Sequence, residues 1–181
     1  MINKYYTKLY YTPICLHNLM KFMEKLFKAK QIFKLMQVDS TNSYALQLPS
    51  DTPEGSIVWA LDQTEGRGQG TNKWESESGQ NLTLSIILHP TSLQIENQFF
   101  ISKIISLAVA DFISLFTANV SIKWPNDIFV NDKKIAGILI ENIIEGNIIK
   151  QSVAGIGINI NQKEFTTYAP NPLSLSQLTN S

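Results

Sequence analysis

Residues 120–160 decide the fold, and they read VSIKWPNDIFVNDKKIAGILIENIIEGNIIKQSVAGIGINI. Apolar runs are separated here by short polar turns, so the pattern predicts four strands, over 120–124, 128–130, 135–144 and 148–160. Strands joined by such tight turns pair antiparallel, because parallel neighbours need a long crossover connection. This part of the chain therefore predicts an antiparallel sheet.

The preceding residues add strands and helices to this sheet. The sequence predicts strands over 57–61 and 82–88, a helix of about two turns from residue 41 to Pro49, and a longer helix over 97–117 with one apolar stripe. The last twenty residues, rich in Pro, Asn, Ser and Thr, predict a loop. The expected class is α+β, with helices packed on one face of a mixed, mostly antiparallel sheet.

Charge is unevenly distributed along the 181 residues. The first 37 residues hold seven lysines and one acidic residue, whereas the whole chain has a formal net charge of zero. The body is therefore acidic, which argues against a nucleic-acid partner. We expect a basic N-terminal extension over 1–36, poorly ordered or bearing a helix along Leu16–Phe27, and one domain over 37–181.

The remaining bulk features favour the cytoplasm. No apolar run approaches the roughly 18–20 residues that cross a bilayer, so we expect no membrane span. The single cysteine, Cys15, cannot form an intramolecular disulfide, as is typical of a reducing compartment. His17 and His89 are isolated, so neither a metal cluster nor a Ser-His-Asp arrangement is indicated.

Arg67 is the only arginine beside fourteen lysines, and it lies in Gly66-Arg67-Gly68-Gln69-Gly70. A guanidinium offers a planar fork of donors that matches carboxylate and phosphate oxygens in pairs. Flanking glycines let the backbone approach a ligand closely. The loop lacks the features of a dinucleotide fingerprint and of a P-loop, and taken alone it is equally compatible with a structural turn.

Two further motifs suggest a binding cleft. Lys123 ends a predicted strand at Lys123-Trp124-Pro125-Asn126-Asp127, and we expect its ammonium at the sheet edge over a cleft. Gly155 and Gly157 lie within an apolar strand, where glycine weakens packing unless a ligand or another backbone comes close. A simple corner and a close strand contact remain the alternatives for these two motifs.

Taken together, the motifs resemble those of biotin protein ligases. The resemblance covers about residues 35–175 and rests on several segments in the same order and spacing: Ser40-Thr41-Asn42, Gln63, Gly66-Arg67-Gly68, Trp74, Gly79, Asn81-Leu82, Lys123–Asp127, Lys134–Leu139, Glu141 and Gly155–Asn159. Such enzymes join biotin to ATP to give biotinyl-5′-AMP and pyrophosphate, and then pass the biotinyl group to a lysine of a carboxylase's biotin-carrier domain. The resemblance implies ATP, biotin and Mg²⁺, with the protein ligands of Mg²⁺ unassigned.

The resemblance also implies roles for individual residues. Arg67 and Lys123 would be the catalytic cations, because a carboxylate must be brought to an α-phosphate and fixed positive charge favours that approach. Biotin would contact Ser40, Thr41, Asn42, Gln63, Arg67, Gly68, Gln69, Lys123, Gly155 and Gly157. ATP would contact Arg67, Trp74, Asn126, Lys134 and Asn159.

Two departures from the family pattern bear on activity. Many members carry a second arginine where Gln69 stands, so retention of the adenylate is expected to be weaker. The family's catalytic domain also continues beyond residue 181 and is expected to be incomplete here, and no DNA-binding domain precedes it, so no repressor role is expected. Lipoate or octanoate ligases of the same fold, and a non-catalytic biotin-binding remnant, are the alternatives. A homodimer remains open.

Overall fold

A computed structural model describes residues 30–166 and 171–179, and it is built around one seven-stranded sheet. The strands are β1 Ile32–Val38, β2 Ile57–Gln63, β3 Leu82–Leu88, β4 Val120–Lys123, β5 Asp127–Val130, β6 Lys133–Glu145 and β7 Ile148–Ile158. Their order across the sheet is β1-β2-β3-β7-β6-β5-β4. The central strand β7 therefore lies between β3 and β6, whereas β4 forms one edge.

Strand pairing confirms the predicted class. β1 and β2 are parallel, and every other neighbouring pair is antiparallel. The four strands predicted within residues 120–160 are all present, and they follow one another as β4, β5, β6 and β7 with boundaries shifted by a few residues. The sheet is thus mixed and mostly antiparallel, as the turn pattern predicts.

In the described part of the chain, three α-helices accompany the sheet: α1 Thr41–Gln47, α2 Phe99–Ser114 and α3 Leu175–Thr179. The Ser40 hydroxyl accepts a hydrogen bond from the Ser43 backbone N–H and caps α1, which ends before Pro49. A 3₁₀ turn at Ile95–Asn97 precedes α2. These elements match the helices predicted from residue 41 and over 97–117.

The C-terminal part is more ordered than a loop. Lys134 donates its backbone N–H to the Asn171 carbonyl and accepts from the Leu173 N–H, which pins this segment to β6. Leu173 and Leu175 are consequently buried in the main core, and α3 begins at Leu175. The loop predicted for the last twenty residues is therefore wrong for Leu175–Thr179, because the three leucines of this segment have an apolar surface to cover.

The helices are divided between the two faces of the sheet, so the prediction of a single covered face is wrong in that detail. On β2, Ile57 and Trp59 belong to the core that α2 covers, whereas Val58 belongs to a smaller cluster with Ala45 of α1. Successive strand residues point to opposite faces. Helix α1 therefore occupies the face opposite α2, and residues 153, 155 and 157 of β7 share the α1 face.

Strand β1 crosses the boundary that the sequence predicts between residues 36 and 37. Residues 32–36 pair with β2 and so belong to the sheet, with Phe33 and Leu35 packed beneath α1. The apolar helical pattern over Leu16–Phe27 lies outside the described residues. Within the described ranges, no helix is both long and apolar enough to cross a membrane.

Candidate active site

The α1 face of the sheet carries a cavity whose floor is built from glycines. Gly137 on β6 and Gly157 on β7 are direct cross-strand partners, and the Trp74 indole lies flat against both. A Cβ at Gly137 would come within 2.9 Å of Trp74 Cζ3, and a Cβ at Gly157 would overlap the indole outright. Side chains at these positions would therefore lift Trp74 off the sheet.

Gly155 serves Asn42 in the same way. A Cβ at Gly155 would overlap the Asn42 carboxamide, which is only 2% exposed. The Asn42 Nδ2 group donates to the Leu139 carbonyl at 3.2 Å and to Glu141 Oε2 at 2.9 Å. Gly155 and Gly157 are therefore explained by the side chains of Asn42 and Trp74, which pack directly on them. The space that remains above this part of the sheet is the cavity.

The Gly66–Gly70 loop is a short hairpin that delivers Trp74 to this floor. Gly68 N–H donates to the Asn72 carbonyl at 2.8 Å, and Trp74 N–H donates to the Gly66 carbonyl at 2.9 Å. A Cβ at Gly66 would overlap the Trp74 carbonyl oxygen, so this glycine is required by the hairpin itself. The loop therefore has a structural task as well as a place in the cavity wall.

Arg67 makes a two-point ion pair with Glu141 on β6. Its Nη2 lies 2.7 Å from Oε1 and its Nη1 lies 3.1 Å from Oε2, a parallel fork that lysine cannot form. Glu141 is held in turn by the Asn42 carboxamide. The Arg67 side chain is 46% exposed, so the pair fixes the orientation of the guanidinium more than it stabilises the fold.

A second cation, Lys134, reaches the cavity from β6. Its Nζ lies 2.7 Å from Asp127 Oδ1 and 6.0 Å from the centre of the Trp74 ring. The lining contains the cations Arg67, Lys73 and Lys134 against the single carboxylate of Asp127. The cavity measures about 190 Å³, below the roughly 300–1,000 Å³ of usual ligand sites, because Trp74 rests on its floor.

Most of the residues that the sequence predicts for the site line this one cavity. They are Ser40, Thr41, Asn42, Gln63, Arg67, Gly68, Gln69, Trp74, Asn126, Lys134, Gly155 and Gly157. They come from α1 and its cap, β2, the glycine hairpin, the turn before β5, β6 and β7. Segments far apart in sequence are brought together by the order β3-β7-β6-β5.

Lys123 and Asn159 are not part of the lining. Lys123 lies on the edge strand β4, with its Nζ 5.1 Å from the Phe129 ring centre, so strands β5 and β6 separate it from β7. Asn159 is 4% exposed, and its Nδ2 donates to the Leu173 carbonyl at 3.1 Å. Neither residue lines the cavity, and the expected contacts of Lys123 with biotin and of Asn159 with ATP stay predictions.

Sequence reasoning missed several contributors to the site, four of which bear on its charge or shape. Lys73 and Asp127 line the cavity, Gly137 completes its floor, and Glu141 holds Arg67. The turn gave no signal for Gly137, because closing the β6–β7 hairpin at Glu145–Ile148 alone would place residue 137 opposite 156, and a bulge at Ile143/Ile144 shifts the register to Gly157. The Arg67–Glu141 pair spans 74 residues and had no local signal.

Comparison with known proteins is consistent with this geometry. The model of the biotin/lipoate A/B protein ligase family matches residues 35–159. The chain belongs to this family. Its relatives include the bifunctional ligase/repressor BirA of Bacillus subtilis, 36% identical over 128 residues that cover 70% of this chain and 39% of the relative. They also include the biotin–[acetyl-CoA-carboxylase] ligase of Paracoccus denitrificans, 34% identical over 131 residues that cover 70% of this chain and 53% of the relative.

Solved structures agree with the family assignment. The biotin protein ligase from Aquifex aeolicus in complex with biotin and ATP superposes with a TM-score of 0.72 and 29% identity, covering 84% of this chain and 62% of that one. The Leishmania major biotin protein ligase in complex with biotinyl-5-AMP gives a TM-score of 0.68 and 28% identity, covering 84% of this chain and 66% of that one. This chain thus spans about two fifths to two thirds of the length of the relatives described here.

Proposed function

We propose that this protein activates biotin with ATP to form biotinyl-5′-AMP and transfers the biotinyl group to a lysine of a carboxylase's biotin-carrier domain. The observation that carries the proposal is the single cavity, which gathers twelve of the fourteen residues predicted for biotin and ATP. Relatives named as biotin protein ligases, one of them in complex with both biotin and ATP, support the same substrates.

The first chemical problem is electrostatic, because a carboxylate must approach an α-phosphate of like charge. Lys134 is the cation placed for this task, since its strand directly neighbours β7 and its ammonium lies inside the cavity. Arg67 stands on the loop side with its guanidinium oriented by Glu141. Fixed cations that need no reorganisation favour the charge that develops in the transition state.

Lys134 is our candidate for the role that the resemblance implies for Lys123. Its partner Asp127 keeps the ammonium in place at 2.7 Å. An incoming carboxylate or phosphate oxygen would share the ammonium's three donors with Asp127. The reaction needs no nucleophile from the protein, so positioning of the two anions is the main contribution of these cations.

The two ends of the cavity suit the two substrates. Thr41 and Gln63 offer hydrogen-bonding groups at one end, where we place the ureido ring of biotin. The Trp74 indole lies at the other end; its Nε1 is buried over Gly157 without a hydrogen-bond partner among the described residues, and a shift of the indole would bring it to a nucleotide acceptor. Asn126 lines this same side, with its Nδ2 donating to the Ile138 carbonyl.

The cavity offers one carboxylate for Mg²⁺, that of Asp127, and the described residues form no preformed metal site. The described residues contain no group of three side chains arranged to hold a metal ion. Mg²⁺ usually binds through one or two carboxylates together with substrate phosphates, and Asp127 provides one carboxylate in the lining. When bound with ATP, the ion would neutralise phosphate charge beside the cations described above.

Three measurements test the proposal. Calorimetry with biotin, lipoate and octanoate identifies the acid that binds, and ATP–pyrophosphate exchange with each acid then reports adenylation. Exchange that depends on biotin supports the proposal. Biotin binding without exchange would identify the non-catalytic alternative, and exchange that depends on lipoate or octanoate would identify the related ligases. Transfer is tested by avidin detection of a purified carrier domain after incubation with biotin and ATP.

A further inference from the structure

Helix α2 has apolar residues on two faces. One face packs on the sheet, and its buried residues include Ile101, Ile105, Val109 and Phe112. The other face is formed around Phe100, Ile104 and Leu107, which are 51%, 64% and 55% exposed. A surface helix normally carries polar side chains on its outer face, whereas a helix that is apolar all round is normally buried. The composition of α2 is therefore that of a helix covered on both sides.

The exposed apolar surface continues from α2 onto the turn that follows β4. Phe99 and Trp124 are each 55% exposed, and their ring centres lie 5.5 Å apart. Connected apolar patches on a protein surface mark interaction sites. Because α2 lies on the side of the sheet opposite the cavity, a partner bound to this patch leaves the cavity open.

Charge is distributed symmetrically on the outer face of α2. Lys103 and Asp111 are the only charged residues of this helix, and both are exposed. Each is four positions from Leu107, one on either side. Four positions correspond to about 40° around a helix and about 6 Å along it, so the two charges flank Leu107 on the same face. The outer face thus has an apolar centre between a cation and an anion.

This arrangement is complementary to a second copy of itself in one orientation. Two α2 helices packed antiparallel about a two-fold axis at Leu107 bring Lys103 of each copy to the level of Asp111 of the other. Packed helices lie about 8–10 Å apart, a gap that these two side chains bridge. A two-fold interface repeats every contact, so both ion pairs form. A parallel pair would instead set like charges at the same level.

We propose that the outer face of α2 is a self-association surface, through which two copies of this chain pair by antiparallel α2 helices centred on Leu107. A two-fold dimer explains why opposite charges stand at equal distances from one residue, whereas a different protein partner requires no such symmetry. Pairing would cover Phe100 and Ile104 on both sides of the axis. The inference does not depend on the proposed function, because each copy keeps its own open cavity.

Charge reversal tests the pairing. Lys103→Glu sets carboxylates against each other twice in the dimer, and Asp111→Lys does the same with ammonium groups. Since like charges replace two exposed ion pairs, each variant should raise the dimer dissociation constant by about tenfold or more. Sedimentation equilibrium in low-salt buffer measures this constant for the wild type and for both variants.

Mixing the two variants sharpens the test. Every charge contact in the mixed dimer joins a carboxylate to an ammonium group, so an equal mixture should recover a dissociation constant within about threefold of the wild type. The double variant should recover it as well. A parallel pair predicts no loss in the single variants, because like charges already face each other in it.

Lys163→Glu and Asp51→Lys are the matched controls, because they make the same changes of net charge at exposed positions outside α2. Each should keep the wild-type dissociation constant. All of these variants alter exposed side chains, so their unfolding temperatures, followed by circular dichroism, should stay close to that of the wild type.

The outcomes decide between a second copy and other occupants of this face. Loss of association in both single reversals, with recovery in the mixture, supports the inference. A wild-type chain that stays monomeric up to about 100 μM would overturn it and would mean that something other than a second copy covers α2. A dimer that tolerates both reversals would also overturn it, because such a dimer uses a different surface. Neither result depends on whether the protein binds biotin, so failure of the proposed function would be seen separately.

Discussion

Lys123 and Lys134 are separated by eleven positions and have similar local sequence settings, yet the fold gives them different surroundings. Each stands beside a polar turn at one end of a strand, and each belongs to a segment shared with biotin protein ligases. Lys134 is half-buried in the cavity with Asp127 at 2.7 Å. Lys123 is exposed on the edge strand, above the Phe129 ring.

The difference between the two lysines comes from strand order rather than from local sequence. β6 directly neighbours β7, whose glycines form the cavity floor, whereas β4 is two strands further out. A lysine contributes to an active site only if its strand brings it there. The following predictions test whether position on β6, rather than positive charge in the general region, is what the reaction requires.

The largest effect is expected for Lys134→Ala. Removing a preorganised donor from a site of developing charge typically costs about 10²–10³ in rate, and biotin-dependent ATP–pyrophosphate exchange should fall by that factor. Lys133→Ala is the control, since Lys133 is the adjacent residue on β6 but is exposed and outside the lining. Equal exchange rates for the two variants would remove Lys134 from the mechanism.

The second prediction concerns Gly157, one of the glycines that form the cavity floor. Gly157→Ala should displace the Trp74 indole, because the new Cβ overlaps it, and weaken ATP binding by up to about 100-fold as the site is misplaced. A strand accommodates alanine, so the unfolding temperature should change little.

A double-mutant cycle then isolates the cause. If Gly157 exists to seat the indole, Gly157→Ala should cost much less affinity in a Trp74→Ala background than in the wild type. Additive losses, measured by calorimetry with ATP and biotin, would mean that Gly157 makes room for the ligand directly.

The sequence could predict the elements because their signals are local. The alternation of Leu82, Leu84, Ile86 and Leu88 and the tight turns of residues 120–160 depend on neighbours in the chain, and the corresponding strands are present. The sequence could not predict which face of the sheet each helix covers or which distant residues form ion pairs. Arg67 and Glu141 are 74 residues apart, and only the assembled strand order brings them together.

Tertiary packing determines features that the local sequence does not predict. Gly155 and Gly157 indicated a close approach, but the structure shows that Asn42 and Trp74 are the groups that approach. Leu173 and Leu175 lay in a segment whose composition is typical of a loop, yet both are buried because their backbone N–H groups, bonded to the carbonyls of Lys134 and Asn159, hold them against the core. Tertiary contacts override composition in both places.

A smaller effect is expected when a cation is added on the loop side. Gln69 lines the cavity from an exposed position, so Gln69→Arg should slow release of the adenylate by about two- to fivefold, the range typical of solvent-screened charge pairs. Gln69→Glu should speed release by a similar factor, and Gln69→Met should leave it unchanged. Rapid filtration of radiolabelled adenylate measures the rate, and an identical rate in all four proteins would show that charge at position 69 has no influence.

The smallest effect is expected for Lys123→Ala. Its nearly unchanged exchange rate would distinguish Lys123 from Lys134 most clearly. Exchange activity should stay within about twofold of the wild type, because Lys123 does not line the cavity and its charge is exposed to solvent. Loss of its contact with the Phe129 ring should cost at most about 1 kcal/mol of stability, measured by urea unfolding. A loss of exchange as large as that of Lys134→Ala, in a variant that unfolds normally, would mean that the β4 edge closes over the substrates. Strand order in the free protein would then be a poor guide to the working site, and the distinction drawn between the two lysines would fail.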